Sequence, residues 1–281
     1  MLAFLMMIVV AAGAAPAAAG VEADVTRAFA AFVDGVAAGK PLPASLEVFV
    51  VPDHRGEPLP DDLGPVRAML VAPKLKVLQV MASASGRSAW IAAEIPVRAA
   101  VEGKKARADV LRASAFLAFD GAAWTVRAAH WSLAVKNVVP EMCGDTGAPW
   151  SVADVPAALI PAVTQVLQVL DEDKPASFVR IMSDDKRALV FGSAPKETFV
   201  GGAKIKGVFK KWSVALPGWD REDPALPASA GVGPDGELAW MATRVTYFKL
   251  CDNYRALLVM AKEKGAWKLV HQHYSEEVWF K

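Results

Sequence analysis

The stretch Asp109–Ser132 reads DVLRASAFLAFDGAAWTVRAAHWS, and 143 positions later Asp252–Ser275 reads DNYRALLVMAKEKGAWKLVHQHYS. Laid together without a gap, they pair Asp109 with Asp252, Arg112 with Arg255, Ala113 with Ala256, Ala118 with Ala261, Ala123 with Ala266, Trp124 with Trp267, His130 with His273 and Ser132 with Ser275. Within each copy, two runs of period-two alternation flank a short polar turn, Asp120-Gly121 or Lys264-Gly265, which is the pattern of a β-hairpin. An internal repeat of this kind sets the frame for the whole chain.

Working outward, Ala89-Trp90 matches Ala239-Trp240, and Pro43-Ala44-Ser45 matches Pro175-Ala176-Ser177, in the same order in both halves. Each half opens with an apolar helical stripe. Val21, Val25, Phe29, Phe32 and Val36 form the first; Val155, Leu159, Val163, Val166, Leu167 and Leu170 form the second, with Pro161 implying a kink or a late start. A short second helix is expected after each Pro-Ala-Ser, carrying Leu46 and Phe49, or Phe178 and Ile181. A third helical piece follows over 66–71 or 203–212, and the period then changes to two. Strands are predicted over 75–83, 88–101, 108–119 and 123–134, then over 236–250, 253–262 and 266–278. Helices followed by an antiparallel sheet, twice over, is α+β order.

The 281 residues, 54% hydrophobic and 22% charged, suit two ordinary domains. With 31 Lys+Arg against 30 Asp+Glu, the net charge of +1 supplies no field for polyanions, so nucleic acid is not an expected partner. Residues 1–19 carry no charge and read as an apolar run ending Ala17-Ala18-Ala19, the pattern of a cleaved secretory leader; the mature chain is then periplasmic or secreted, with no membrane association. The expected organisation is a leader at 1–19, a first domain at 20–138, a linker at 139–150 rich in Pro, Gly and polar residues, and a second domain at 151–281. Export would let Cys143 and Cys251 pair, and the sequence leaves open whether they do. No Cys/His set has zinc spacing, and no phosphate-cradling loop or nucleophile elbow occurs, so neither metal nor cofactor is expected.

The closing hairpin with Gly265, Trp267, His271, His273 and Ser275 resembles that of SnoaL-like domains and of the association domain of calcium/calmodulin-dependent kinase II, both nuclear transport factor 2-like. The strand with Arg244 and Thr246-Tyr247 is similar to its counterpart in that association domain, and 191–212 is similar to the SnoaL-like segment entering the third helix. The resemblance implies two tandem cone-shaped domains, each with N-terminal helices on a strongly curved antiparallel sheet. It also implies a pocket at the wide end and face-to-face packing of the sheets as an intramolecular pseudo-dimer.

Strict alternation puts Trp267, Leu269, His271 and His273 on one strand face. If that face looks into the cone, Trp240, Arg244, Arg255, His271 and His273 form a patch for a small anionic or polar ligand. The competing reading makes the histidines hydrogen-bonded structural groups. The first half has Glu94 where alignment places Arg244, and Ala128 for His271, leaving Glu94, Arg112 and His130 as a weaker set. Small-molecule binding or protein interaction is the expected function. A cofactor-free isomerase, dehydratase or hydrolase, with His271 or His273 as base and Asp252 or Tyr247 assisting, is the alternative.

Overall fold

The computed structural model describes residues 18–52, 59–100, 107–134, 155–172, 175–212, 228–247 and 252–276. Residues 1–17 of the leader expected at 1–19, the whole linker expected at 139–150, Cys143 and Cys251 lie outside the described residues.

The first unit runs α1 (Ala18–Ala37), β1 (Val48–Val50), α2 (Gly64–Met69), β2 (Lys76–Ala82), β3 (Ser88–Ala100), β4 (Arg107–Phe119) and β5 (Trp124–Leu133). The second opens with a 3-10 turn (Ala157–Leu159). It continues through α3 (Ile160–Glu172), α4 (Pro175–Ile181), β6 (Leu189–Phe191), β7 (Thr198–Val200), α5 (Gly202–Trp212), β8 (Ala228–Val232), β9 (Leu238–Tyr247), β10 (Asp252–Glu263) and β11 (Ala266–Glu276). Among these, no helix is long and apolar enough to cross a membrane.

Sheet order shows the duplication directly. The first sheet is β1-β5-β4-β3-β2 and the second β7-β6-β11-β10-β9-β8, the same order with one added edge strand. In both, a three-residue strand lies parallel to the last strand, Val50 opposite His130 and Phe191 opposite His273, while the other pairings are antiparallel. Arg112 faces Ser132 just as Arg255 faces Ser275, so the 143-residue shift holds in register as well as in sequence. The chain is thus two tandem cone-shaped α+β domains, helices packed on one face of each curved antiparallel sheet.

Even the irregularity repeats. Phe116 pairs Ala128 and Leu117 pairs Val126, leaving Arg127 as an extra residue; Val259 pairs His271 and Met260 pairs Leu269, leaving Val270 as its counterpart 143 positions on. A bulge bends the strand and increases its twist, and its recurrence curls both sheets at the same place. The hairpin after β10 closes on Lys264 and Gly265, with φ of 50° and 84°, the left-handed pair that a two-residue hairpin turn demands.

The helical stripe of α1 is buried as predicted, from Val21 at 1% exposure to Val36 at 2%. Pro161 sits in the first turn of α3, after the 3-10 turn, where its missing N–H breaks no helical bond. Val163 and Val166 are buried there with Ala162 and Val169, while Leu167 is only partly buried.

The helix expected at 46–49 is instead β1. Its side chains, with Val51 just after it, alternate between two buried surroundings: Phe49 and Val51 enter the core under α1, while Val48 and Val50 enter the seam between the sheets. A short strand buried on both faces shows no polar face, and so no period of two. The two Pro-Ala-Ser segments are not equivalent either: Pro175 opens α4, whereas Ala44 and Ser45 form a turn leading into β1.

Candidate functional site

The two sheets meet through the faces turned away from their helices. Trp90, Phe116 and Val50 of the first unit pack with Trp240, Val259 and Phe191 of the second in one apolar cluster. Trp90 and Trp240, matched in the repeat, are 0% and 1% exposed.

A polar network runs through the middle of this cluster. His130 and His273 stack, ring centroids 4.0 Å apart and 6° from parallel. Each ring bonds the other unit's serine: His130 Nε2 lies 2.7 Å from Ser275 Oγ, and His273 Nε2 lies 2.7 Å from Ser132 Oγ. Those serines correspond in the repeat, so the contact is reciprocal, as across a two-fold axis. The buried arginines are reciprocal too. Arg112 donates to the Gly192 carbonyl, to the Pro195 carbonyl (3.0 Å) and to Thr198 Oγ1 (3.0 Å), while Arg255 donates to the Val51 carbonyl (2.8 Å). Val51 and Gly192 are the residues that follow β1 and β6.

Symmetry breaks at Ser114. Its hydroxyl lies 2.9 Å from His273 Nδ1 and 2.8 Å from His271 Nε2, and His271 also stacks on Trp90 at 4.7 Å. The matching positions in the other direction are Leu257 and Ala128, which carry no polar group.

One obligate acceptor fixes the proton positions. The Leu189 carbonyl can only accept, so His271 Nδ1, 2.9 Å away, donates and its Nε2 accepts from Ser114. Having spent its one proton there, Ser114 accepts from His273 Nδ1–H, and His273 Nε2 accepts from Ser132. His130 Nε2 shares a hydrogen bond with the Ser275 hydroxyl, and its Nδ1 has no partner among the described residues.

All three rings are neutral at physiological pH. Burial pushes His271 down to about 3 against the favourable Leu189 carbonyl. Burial, assisted by Arg255 and His271, takes His130 well below the ordinary value, and His273 falls likewise under burial, the other two rings and both arginines.

A second polar contact between units ties the turns at the other end of the sheets. Asp235, before β9, accepts from Ser83 and Ser85 and, at 2.7 Å, from Ser88 across the seam. Burial alone would raise its pKa, yet the three hydroxyls and the Glu237 N–H hold it below the usual carboxylate value.

The expected ligand patch is therefore distributed differently. The histidines do not share a face with Trp267 and Leu269, because the Val270 bulge shifts the alternation by one residue. Trp267 and Leu269 pack under the helices, while Val270, His271 and His273 face the seam. Trp240 and Arg255 are buried there as well. Arg244 lies opposite Arg255 in register, and its side chain lies outside the described residues. In the first unit, Arg112 and His130 belong to the seam, whereas Glu94 pairs with Lys76 at 2.9 Å. Among the described residues, no cluster of His, Cys, Asp or Glu is arranged to hold a metal.

On the helix-covered faces the two units differ. The first is filled by aromatic rings: Trp131 meets Phe49 at 4.9 Å and Phe32 at 5.8 Å. At the matching positions the second unit has Tyr274 for Trp131 and Gln272 for Ala129, and the Tyr274 hydroxyl donates to Gln272 Oε1 at 2.9 Å. Leu258 lies opposite Gln272 in register, and Tyr274 packs against both the cluster that holds Val163, Met241, Leu258 and Met260 and the one that holds Val190, Ile205 and Phe209. The sequence signal was available in the repeat itself, as a buried aromatic–alanine pair replaced by two polar residues.

Residues 161–278 match the family model described as SnoaL-like domain. The second unit is a SnoaL-like domain. Its sheet order recurs in the first unit, outside the matched residues. Similar solved structures include a protein provisionally assigned as a ketosteroid isomerase from Parabacteroides distasonis (17% identity, 41% of this chain and 84% of that one, TM-score 0.36). A cystatin-like fold protein from Burkholderia xenovorans is similar at 16% identity, 44% and 92% coverage and TM-score 0.34. A provisionally assigned calcium/calmodulin-dependent protein kinase II association domain from Xanthomonas campestris shows 15% identity, 46% and 96% coverage and TM-score 0.32. No curated protein matches the chain.

Proposed function

We propose that this is an exported small-molecule binding module in which the first unit is a fixed structural partner and the SnoaL-like unit holds the ligand. The two units act as an intramolecular pair, and the ligand sits on the helix-covered face of the second sheet. The observation that carries this reading is the exchange of Ala129 and Trp131 for Gln272 and Tyr274 at two alternate repeat positions. Polar groups on an otherwise apolar face orient a ligand as well as bind it. With Gln272 Oε1 occupied by Tyr274, the amide N–H₂ is the end offered to an acceptor such as a carbonyl. The surrounding Val, Leu and Met side chains suit a compact, largely apolar body.

The enzymatic alternative requires His271 or His273 to meet a substrate. Both rings are buried, and both nitrogens of each already have partners.

Methionine-methyl NMR tests the binding site. Neutral cyclic ketones are titrated into the full chain, and the reading expects the Met241 and Met260 methyls to shift while Met69, in the first unit's core, stays still. Binding that moves Met69 alone, or is unchanged by Gln272→Leu, contradicts it. Export is tested by N-terminal sequencing of protein recovered outside the cytoplasm; an intact Met1 there would count against the leader.

A further inference from the structure

The seam joins two separately cored units. The helices of each pack on its own sheet, in two apolar clusters that share no residue, so the units can part without dismantling either core. What lies between is an apolar cluster with three imidazoles at its centre.

The groups facing those rings come from every neighbouring element. Strand β4 presents Arg112 and Ser114, β5 presents Ser132, β3 presents Trp90, β6 presents Phe191 and the Leu189 carbonyl, and β10 presents Arg255. The charged members are both arginines. The carboxylates nearby, Glu94 and Glu197, act on Arg112; Glu94 is paired with Lys76, and Glu197 accepts from the Ala194 N–H.

We propose that the His130–His273 stack, with Ser114 and His271, is an acid-released latch that lets the two units separate while each remains folded. A proton on His271 must sit on Nε2 and one on His273 on Nε2, so each turns an acceptor into a donor and reverses the chain of bonds through Ser114 and Ser132. Protonated His130 carries a hydrogen on both nitrogens, and its Nδ1–H has no acceptor among the described residues. Two charged rings stacked at 4.0 Å repel each other, and Arg112 and Arg255 add to that repulsion.

Once the units part, the imidazoles meet water and take up protons near the ordinary value of about 6.5. Below that pH, each unit of acidification multiplies the open-to-closed ratio by up to about tenfold per ring, or about a thousandfold for three. Neutral pH keeps the seam shut.

The test is small-angle X-ray scattering of the full chain from pH 7.5 to pH 4, with far-UV circular dichroism and proton uptake measured in parallel. The latch predicts a rise in radius of gyration between pH 6 and pH 4 with the circular dichroism retained, accompanied by uptake of two to three protons. In the double variant His130→Phe, Ser275→Ala the midpoint falls to lower pH and uptake drops by one. Should that variant not fold, proton uptake by the wild-type chain decides alone. Constant dimensions to pH 4, opening that coincides with loss of secondary structure, or opening without proton uptake would overturn the proposal, as would an unshifted midpoint in a folded double variant.

Discussion

His130 and His273 occupy the same position of the repeat and lie face to face, 4.0 Å between ring centroids, each bonded to the serine that accompanies the other in sequence. A residue that meets its own counterpart marks the axis of a two-fold relationship, realised here within one chain. Reciprocity extends to Arg112 and Arg255 and fails at Ser114, where the second copy has Leu257.

Ser114 therefore matters more than either reciprocal serine. Ser114→Ala strips two buried ring nitrogens of their shared partner, and urea unfolding is expected to show a loss of about 2–4 kcal/mol. Ser132→Ala, which affects one ring, is expected to lose about half as much. Equal effects of the two substitutions would contradict the network.

Arg112 spans three acceptors, two carbonyls on the loop after β6 and the Thr198 hydroxyl at the start of β7. Arg112→Lys keeps the charge and loses the planar fork, so a loss of about 2 kcal/mol is expected. Arg127→Lys, at the exposed pair with Glu47, should cost less than about 0.5 kcal/mol. Chemical denaturation of both variants makes the comparison.

The total unfolding free energy should fall on acidification. His130, His271 and His273 have folded pKa values below that of the unfolded chain, so the unfolded state binds protons first as pH drops through about 6.5. Their contribution is complete above that value and is lost progressively below it, at up to about 1.4 kcal/mol per pH unit for each ring. Asp235, also lowered, adds to the loss only below about pH 4. Urea titrations at pH 7.5, 6 and 5 check the slope, and a flat profile would show that the rings are already exposed.

Two glycines near α5 separate backbone crowding from helix propensity. A Cβ at Gly202 would run into the Ser183 carbonyl and the Asp184 backbone, whereas one at Gly207 meets nothing within 4 Å. Gly202→Ala should destabilise by about 1–3 kcal/mol. Gly207→Ala should stabilise by about 0.5–1 kcal/mol. Thermal melting of the two variants reads both signs.

Much of the fold was legible because the repeat is ungapped over its longest elements. The 143-residue shift carried Trp124 onto Trp267 and Arg112 onto Arg255, and the structure keeps that correspondence in strand register. β6 and β7 escaped notice because three residues cannot display a period, and β1 because both of its faces are buried. The histidines stood out in the sequence, but their direction did not. Nothing distinguishes Val270 from an ordinary alternating residue, yet as the extra residue of a bulge it turns His271 and His273 from the helices to the seam. Gln272 and Tyr274, which alternate with the histidines, lie on the helix side instead.

Selective labelling of the four histidines offers the most direct measurement, because the fourth, His54, lies outside the described residues and the other three all belong to the seam. At pH 7.5, a nuclear Overhauser cross-peak between the rings of His130 and His273 is predicted, with both rings silent to titration down to pH 6. Absence of that cross-peak, with both rings titrating near the free-imidazole value, would contradict the reciprocal seam on which the whole account stands.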